Sequence, residues 1–290
     1  MIYAFIDRYR STFGVQKMCQ VLGVSRSGYY AWRTRPASPR AQTTRQLIHL
    51  IHRIYHEARG VYGSPRITAV LQARGYRVSR PRVARLMHRE GLRATTQRAF
   101  RRTTIRDTTL PVAPNRLQQQ FTVARPNRVW VSDITYVKTQ AGWQYLTVIL
   151  DLCHRKVVGW TLSPAMTTEA TTLAALHQAW QRERPVPGLV FHSDRGVQYA
   201  AADFRRHLRQ YQMVQSMSGT GNCYDNAVAE SFWKTLKTEL LYHERYPAAR
   251  QAQQSLFDYI EIFYNRQRLH STLGYRSPAD YVHQLQKNAA

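Results

Sequence analysis

Asp133 in WVSDITYV (130–137), Asp194 at the end of the apolar run that opens FHSDRGVQYA (191–200) and Glu230 in AVAESFWK (227–234) are the acids whose settings suggest chemistry. They belong to a chain with 42 lysines and arginines against only 17 aspartates and glutamates. Carboxylates gathered at one point repel each other unless a cation sits among them, and hard oxygen donors favour Mg2+ or Mn2+. Two such ions about 3.5–4 Å apart activate an attacking oxygen and stabilise the leaving one during in-line displacement at phosphorus. The chemistry open to these acids together is metal-assisted phosphoryl transfer.

Acting together requires elements that converge. VWVSDITYVKT and WQYLTVILDLC are β-rich runs joined across Gln140, Ala141 and Gly142, and VVGWTLS follows, which predicts an antiparallel three-stranded meander. Then come a helix over 167–184, a short buried strand over 188–194, a helix over 201–211, a strand over 213–218 and a long helix over 227–244. This β-β-β-α-β-α-β-α order places Asp133 in the middle of the first strand and Asp194 at the exit of the fourth. Glu230 follows a Gly-Asn-rich loop, GTGNCYDN, that ends beside the fourth strand, so the three acids can meet.

The net charge of +25 runs the whole length of the chain and points to a polyanion, with double-stranded DNA the expected one. Residues 15–33 read as two short helices around Gly23, with Ser25 capping the second. Residues 64–91 repeat the pattern around Gly75, and their second helix shows Arg82, Arg85 and Arg89 at helical spacing, the expected DNA contacts. His49, His52 and His56 share a helical side opposite Leu47, Leu50, Ile51 and Ile54, which makes them surface groups and not metal ligands. Residues 94–128 lack periodicity and read as a basic linker. Cys19, Cys153 and Cys223 are far apart, so neither a disulfide framework nor a zinc knuckle is signalled. No signal peptide or membrane span is expected, and the cytoplasm is the expected compartment.

The phrases WVSDITYV, FHSDRGVQY, GNCYDNAVAESFWK (221–234) and YNRQRLHSTLGYRSP (264–278) together resemble the integrase-core transposases of bacterial insertion sequences, specifically the second-reading-frame product of the IS-three family. The resemblance covers nearly the whole chain, and the thirty-five residues between Asp194 and Glu230 match the family's spacing. It implies an α/β, RNase H-like catalytic domain with a mixed five-stranded sheet and flanking helices, preceded by all-α helix-turn-helix domains. It also implies a DDE site made of Asp133, Asp194 and Glu230 holding Mg2+ or Mn2+, two ions in number, with Lys237, seven positions after the glutamate, touching DNA; Lys234 is a further expected DNA contact. The expected division is helix-turn-helix units over 1–40 and 41–93, a basic linker over 94–123, the core over 124–245 and a C-terminal helical extension over 246–290. Expected partners are the terminal inverted repeats and target DNA, further copies of the chain that pair two DNA ends, and the upstream-frame product or a fusion to it.

Other residues carry weaker expectations. His192, two before Asp194, is a second-tier site residue that either approaches the scissile phosphate or is a hydrogen-bonded core histidine. Asp151 is expected to bond turn amides, and Asp225 with Asn226 to cap the last helix. Leu256, Tyr259, Ile260 and Phe263 form a packing stripe, with Arg266, Arg268 and His270 trailing towards DNA. Two rival readings are a nuclease of the same fold without strand transfer and a DNA-binding regulator that has lost its chemistry.

Overall fold

The computed structural model describes residues 2–36, 38–95, 112–219 and 223–289. The N-terminal part is helical: α1 (Ile2–Tyr9), α2 (Val15–Val21), α3 (Arg26–Thr34), α4 (Pro39–Glu57), α5 (Ser64–Ala73) and α6 (Arg80–Arg89). Ser25 caps α3 by accepting the Gly28 N–H at 3.0 Å, and Gly23 supplies the left-handed φ of 65° that the turn requires. Helices α1 to α3 close on a small core of their own, built from Ile6, Met18, Cys19 and Tyr29. Helices α4 to α6 instead bury Leu47, Ile51, Ile67 and Val83 in the same apolar cluster as one face of the sheet.

The sheet comprises β1 (Val129–Thr139), β2 (Gly142–Asp151), β3 (Val157–Ser163), β4 (Val190–Ser193) and β5 (Val214–Met217). Its order is β3-β2-β1-β4-β5; the first three strands are antiparallel, while β1 with β4 and β4 with β5 are parallel. This is the mixed, RNase H-like arrangement expected. A parallel neighbour needs a crossover, and α7 (Ala174–Glu183), entered through a π-helical turn at Glu169–Leu173, supplies the one between β3 and β4. Helices α8 (Val197–Ala200) and α9 (Ala202–Gln210) then lead into β5. Strand alternation sends Trp130 of β1 into a core with α7 to α9, and Val131 and Val137 into the larger core on the opposite face. That second face is covered by α10 (Ala227–Leu236), α11 (Ala249–Phe257) and the wide turns that extend them, Lys237–Leu241 and Asp258–Tyr264; α12 (Pro278–Ala289) ends the chain.

Glycine at 159, in β3, lets α7 lie directly on the sheet. A Cβ there would stand 2.5 Å from the Ala175 carbonyl oxygen and 2.9 Å from Ala179 Cβ. Gly159→Ala is therefore expected to destabilise the protein by about 1–3 kcal/mol through overpacking, read as a lower midpoint in thermal unfolding.

Three expectations need correction. Residues 96–111 of the expected linker lie outside the described residues, but 112–123 pack on the core: Leu117 is buried, and the Arg116 N–H donates to Ser216 Oγ at 2.9 Å. Arg268 and His270 do not face DNA, because both are buried. The Arg268 guanidinium grips Glu239 through two bonds of 2.7 and 2.8 Å, and Tyr259 Oη donates to the same carboxylate at 2.7 Å; of the three trailing residues only Arg266 is exposed. The extension is thereby a joint between the core and the second helical unit, where Tyr62 Oη donates to the Gln267 carbonyl at 3.1 Å and Arg66 Nε to the Leu269 carbonyl at 2.9 Å. Finally, Asn226 is the N-cap residue of α10 but makes no capping bond with its side chain. Asp225 is buried and accepts from Gly219 N (2.7 Å), Asn115 Nδ2 (2.9 Å) and Gln119 Nε2 (3.0 Å), tying the preceding loop to the 112–120 segment. Asp151 does bond turn amides, accepting from Asn127 N at 2.6 Å and Cys153 N at 2.7 Å.

Candidate active site

Register brings the first two acids together. Ser132 of β1 pairs with Ser193 of the parallel β4, the last pair of that ladder, so Asp133 and Asp194 each follow a paired residue, close enough for the Asp194 charge to act on Asp133. They stand where β4 ends and β1 continues paired with β2 only, at the carboxyl end of the parallel pair, the usual place for ligands in open α/β sheets. Asp133 shares its alternation with Val131 and Val137 and so faces α10. Its Oδ1 accepts the Ile134 N–H at 2.8 Å and its Oδ2 the indole Nε1–H of Trp233 at 2.9 Å. Asp194 turns back on its own loop and accepts the Gly196 N–H at 2.9 Å; a Cβ on Gly196 would come within 3.0 Å of that carboxylate. Arg195 is directed away, donating to the Ser218 carbonyl at 2.7 Å.

Helix α10 presents one stripe to this corner: Asn226, Glu230, Trp233 and Lys237, at spacings of four, three and four. Asn226 Nδ2 donates to the Ser132 carbonyl at 3.3 Å, so the helix is fastened to β1 on both sides of Glu230, by Asn226 before it and Trp233 after it. The Glu230 side chain itself is exposed. Burial, then the neighbouring Asp194 charge and more weakly that of Glu230, pushes the Asp133 carboxyl up to about 8 against the hydrogen bonds that favour its anion. The Lys237 amine is lowered by burial, and the Asp133 charge opposes that shift, so both lie in one field. Beneath the pair Tyr199 is fully enclosed, its Oη 2.7 Å from Ser132 Oγ, and its phenol is raised by burial and by both aspartates.

Asp133 and Asp194 are adjacent, and Glu230 stands within electrostatic reach. Among the described residues, however, no three His, Cys, Asp or Glu side chains are gathered closely enough to hold one metal ion as they stand. His192 is fully buried, its Nδ1 2.8 Å from Ser216 Oγ and its Nε2 3.3 Å from Ser218 Oγ; burial pushes it down to about 4, so the ring is neutral. Arg85 and Arg89 are exposed on α6, while Arg82 is half-buried with Nη2 3.3 Å from Thr44 Oγ1. Lys234 is exposed on α10. Trp233, Asn226 and Tyr199 were not anticipated from sequence. The helical spacing of the α10 stripe from Glu230 could have disclosed the first two.

Comparison with known proteins then defines the family. Models described as "Integrase core domain" match residues 123–223 and 211–278, and one described as "HTH-like domain" matches residues 42–100. The "Insertion element IS600 uncharacterized 31 kDa protein" of Shigella sonnei is 46% identical over 94% of this chain and 100% of its own length. "Transposase InsF for insertion sequence IS3A" of Escherichia coli K12 is 40% identical over 97% of this chain and 98% of its own. The chain belongs to the IS3 family of insertion-sequence transposases. The transposase is accordingly an enzyme of the DDE integrase-core type, a polynucleotidyl transferase, and its HTH-like domain implies DNA binding. A solved structure of the HTLV-2 integrase catalytic core domain in complex with magnesium covers 54% of this chain and 96% of that one, with a TM-score of 0.41 at 17% identity. No helix among the described residues of the transposase is long and apolar enough to cross a membrane.

Proposed function

We propose that Asp133, Asp194 and Glu230 are the catalytic carboxylates of this transposase, and that it binds the terminal inverted repeats of its own element, cuts there and joins the freed 3′ ends to new DNA. The observation that supports this reading most is that Asp133 in β1 and Asp194 just after β4, two acids from distant sequence, each follow the last paired residues of that ladder and share one field with Glu230, whose helix is fastened to β1 by Asn226 and Trp233. The donor set suits Mg2+ or Mn2+: every side-chain donor is a carboxylate oxygen, and magnesium commonly takes only one or two carboxylates, completing its shell with water and phosphate. Asp133 and Asp194 would hold such ions, with Glu230 joining from its exposed turn. When bound, two divalent ions supply Lewis-acid stabilisation of the attacking and leaving oxygens.

In the first step a water oxygen bonds to phosphorus as the P–O3′ bond breaks, and the departing oxygen takes a proton to become a 3′-hydroxyl. In the second step that hydroxyl oxygen bonds to another phosphorus as its P–O3′ bond breaks, so phosphodiester bonds are conserved and no covalent protein intermediate is needed. Trp233 holds Asp133 in its facing orientation through the indole N–H. Lys234 and Lys237, following Glu230 on the same helix, offer cations to the DNA beside the cut. The helical units over 1–40 and 41–93 read the repeats, with Arg82, Arg85 and Arg89 on phosphate or in the groove. The core over 124–245 and the extension over 246–290 carry and brace the site. Copies of the chain pair two ends, and the upstream-frame product, alone or fused, is a further partner.

Incubation with a duplex carrying the DNA that flanks its own gene, plus Mg2+, followed by sequencing, tests this. Joined products that begin at the element's 3′ ends are expected; hydrolysed ends with no joining would leave only a nuclease. Trp233→Phe keeps an aromatic ring at this buried position but removes the N–H donor to Asp133, and is expected to slow cleavage about tenfold with little change in duplex binding, read by single-turnover kinetics.

A further inference from the structure

Beyond Ser132, β4 no longer accompanies β1, and along the edge so opened runs a cavity of about 780 Å3 between the β1–β2 hairpin and residues 237–246. Its floor is closed where Thr139 bridges to Tyr246 and the Gln140 N–H donates to the Tyr246 carbonyl at 2.9 Å. Three aromatic side chains on its walls face solvent: Tyr136 is 52% exposed, Trp143 55% and Tyr242 60%. Exposed rings also occur in the helical parts of the chain, at Phe5, Phe13, Trp32 and Tyr76, but within residues 124–245 these three gather at one groove. Tyr136 stands edge to face with Trp143 at 6.1 Å and with Tyr145 at 5.3 Å, and its Oη donates to Met166 Sδ at 3.8 Å, so the rings are held in place while about half of Tyr136 and of Trp143 stays in solvent. The charged lining is Lys138, Lys237 and Arg245 against Glu244 alone. One end of the groove is Lys237, which lies in the field of Asp133 on the α10 face; Tyr136, about 10 Å further along β1, points by alternation to the opposite face, so the groove wraps around the β1 edge.

We propose that this groove binds unpaired DNA: nucleotides leaving the active site, their bases stacked on Tyr136, Trp143 and Tyr242 and their phosphates on Lys138 and Arg245. Exposed ring faces select bases released from a duplex, because a paired base has both faces already stacked, and the positive lining selects a nucleic acid strand over a polypeptide strand added to the β1 edge. The assignment deepens the active-site reading above and rests on it.

The test is fluorescence anisotropy of the full chain, without divalent ions, using a short labelled oligothymidylate and a blunt duplex of unrelated sequence. The double variant Tyr136→Ala, Trp143→Ala is expected to weaken oligothymidylate binding about tenfold or more and duplex binding by less than about twofold. Lys138→Glu, at an exposed position that cannot disturb the core, is expected to act in the same direction and to flatten the salt dependence. Unchanged single-strand affinity in both variants, with native circular dichroism, would overturn the proposal, as would equal losses on single strand and duplex. Asp194→Asn is expected to bind oligothymidylate as the parent chain does. Should that variant still nick DNA, the active-site reading fails while the groove measurement stands by itself.

Discussion

Asp194→Asn leaves a protein that binds duplex DNA normally and neither cuts nor joins it, with activity lower by about a thousandfold or more. The substitution keeps the size of the side chain and the acceptor for the Gly196 N–H, so the loop after β4 retains its shape. What is lost is the charge beside Asp133. That same charge crowds its neighbour when no cation is present, so in a metal-free buffer the variant is expected to unfold at a higher temperature than the parent chain. Added Mg2+ reverses the ranking, because an ion that binds only the folded state raises the midpoint of the parent and not of the variant. Nicking assays and thermal denaturation with and without Mg2+ read both halves of this expectation.

Arg268→Ala is the substitution expected to destabilise most. It removes both bonds to Glu239 and leaves that charge with Tyr259 Oη but no cation, where each side chain of the pair is only 7% exposed. Breaking a buried pair from one side costs about 3–5 kcal/mol, equivalent to a midpoint lower by about 10 °C or more in calorimetry. Arg268→Lys is expected to recover only part of this, because an ammonium cannot make the two parallel bonds. The loss also loosens the joint through which Tyr62 and Arg66 dock the second helical unit on residues 267–269, so duplex binding is expected to weaken with it.

Strands dense in β-branched residues were legible from sequence: the runs read as β1 and β3 coincide with Val129–Thr139 and Val157–Ser163, and the short apolar runs around 190 and 214 are the parallel strands. The order of elements followed, and with it the placement of Asp133 in one strand and Asp194 at the end of another. Their adjacency is a matter of register, and sequence alone does not set the register of a parallel pair that shares no hairpin. Long-range polar bonds were misread for a related reason. Asp225 before a helix looks like a cap, yet its partners are Asn115 and Gln119, more than a hundred residues away. Arg268 in a basic tail looks like a phosphate ligand until Glu239 is brought under it. The helix read over 227–244 widens at Lys237–Leu241, a change that periodicity does not reveal. Trp233 went unread: helical spacing from Glu230 places it on the same side of α10, but its N–H partner, a carboxylate a hundred residues earlier, is set only by the fold.

The proposed chemistry requires divalent ions gripped between Asp133 within β1 and Asp194 just after β4. Anomalous diffraction from crystals of the full chain bound to terminal-repeat DNA and Mn2+ tests this most directly. Manganese peaks between the carboxylates of Asp133 and Asp194, with Glu230 swung in from α10 to the same ions, are predicted; peaks held by other residues, or none at this corner with DNA in place, would contradict it.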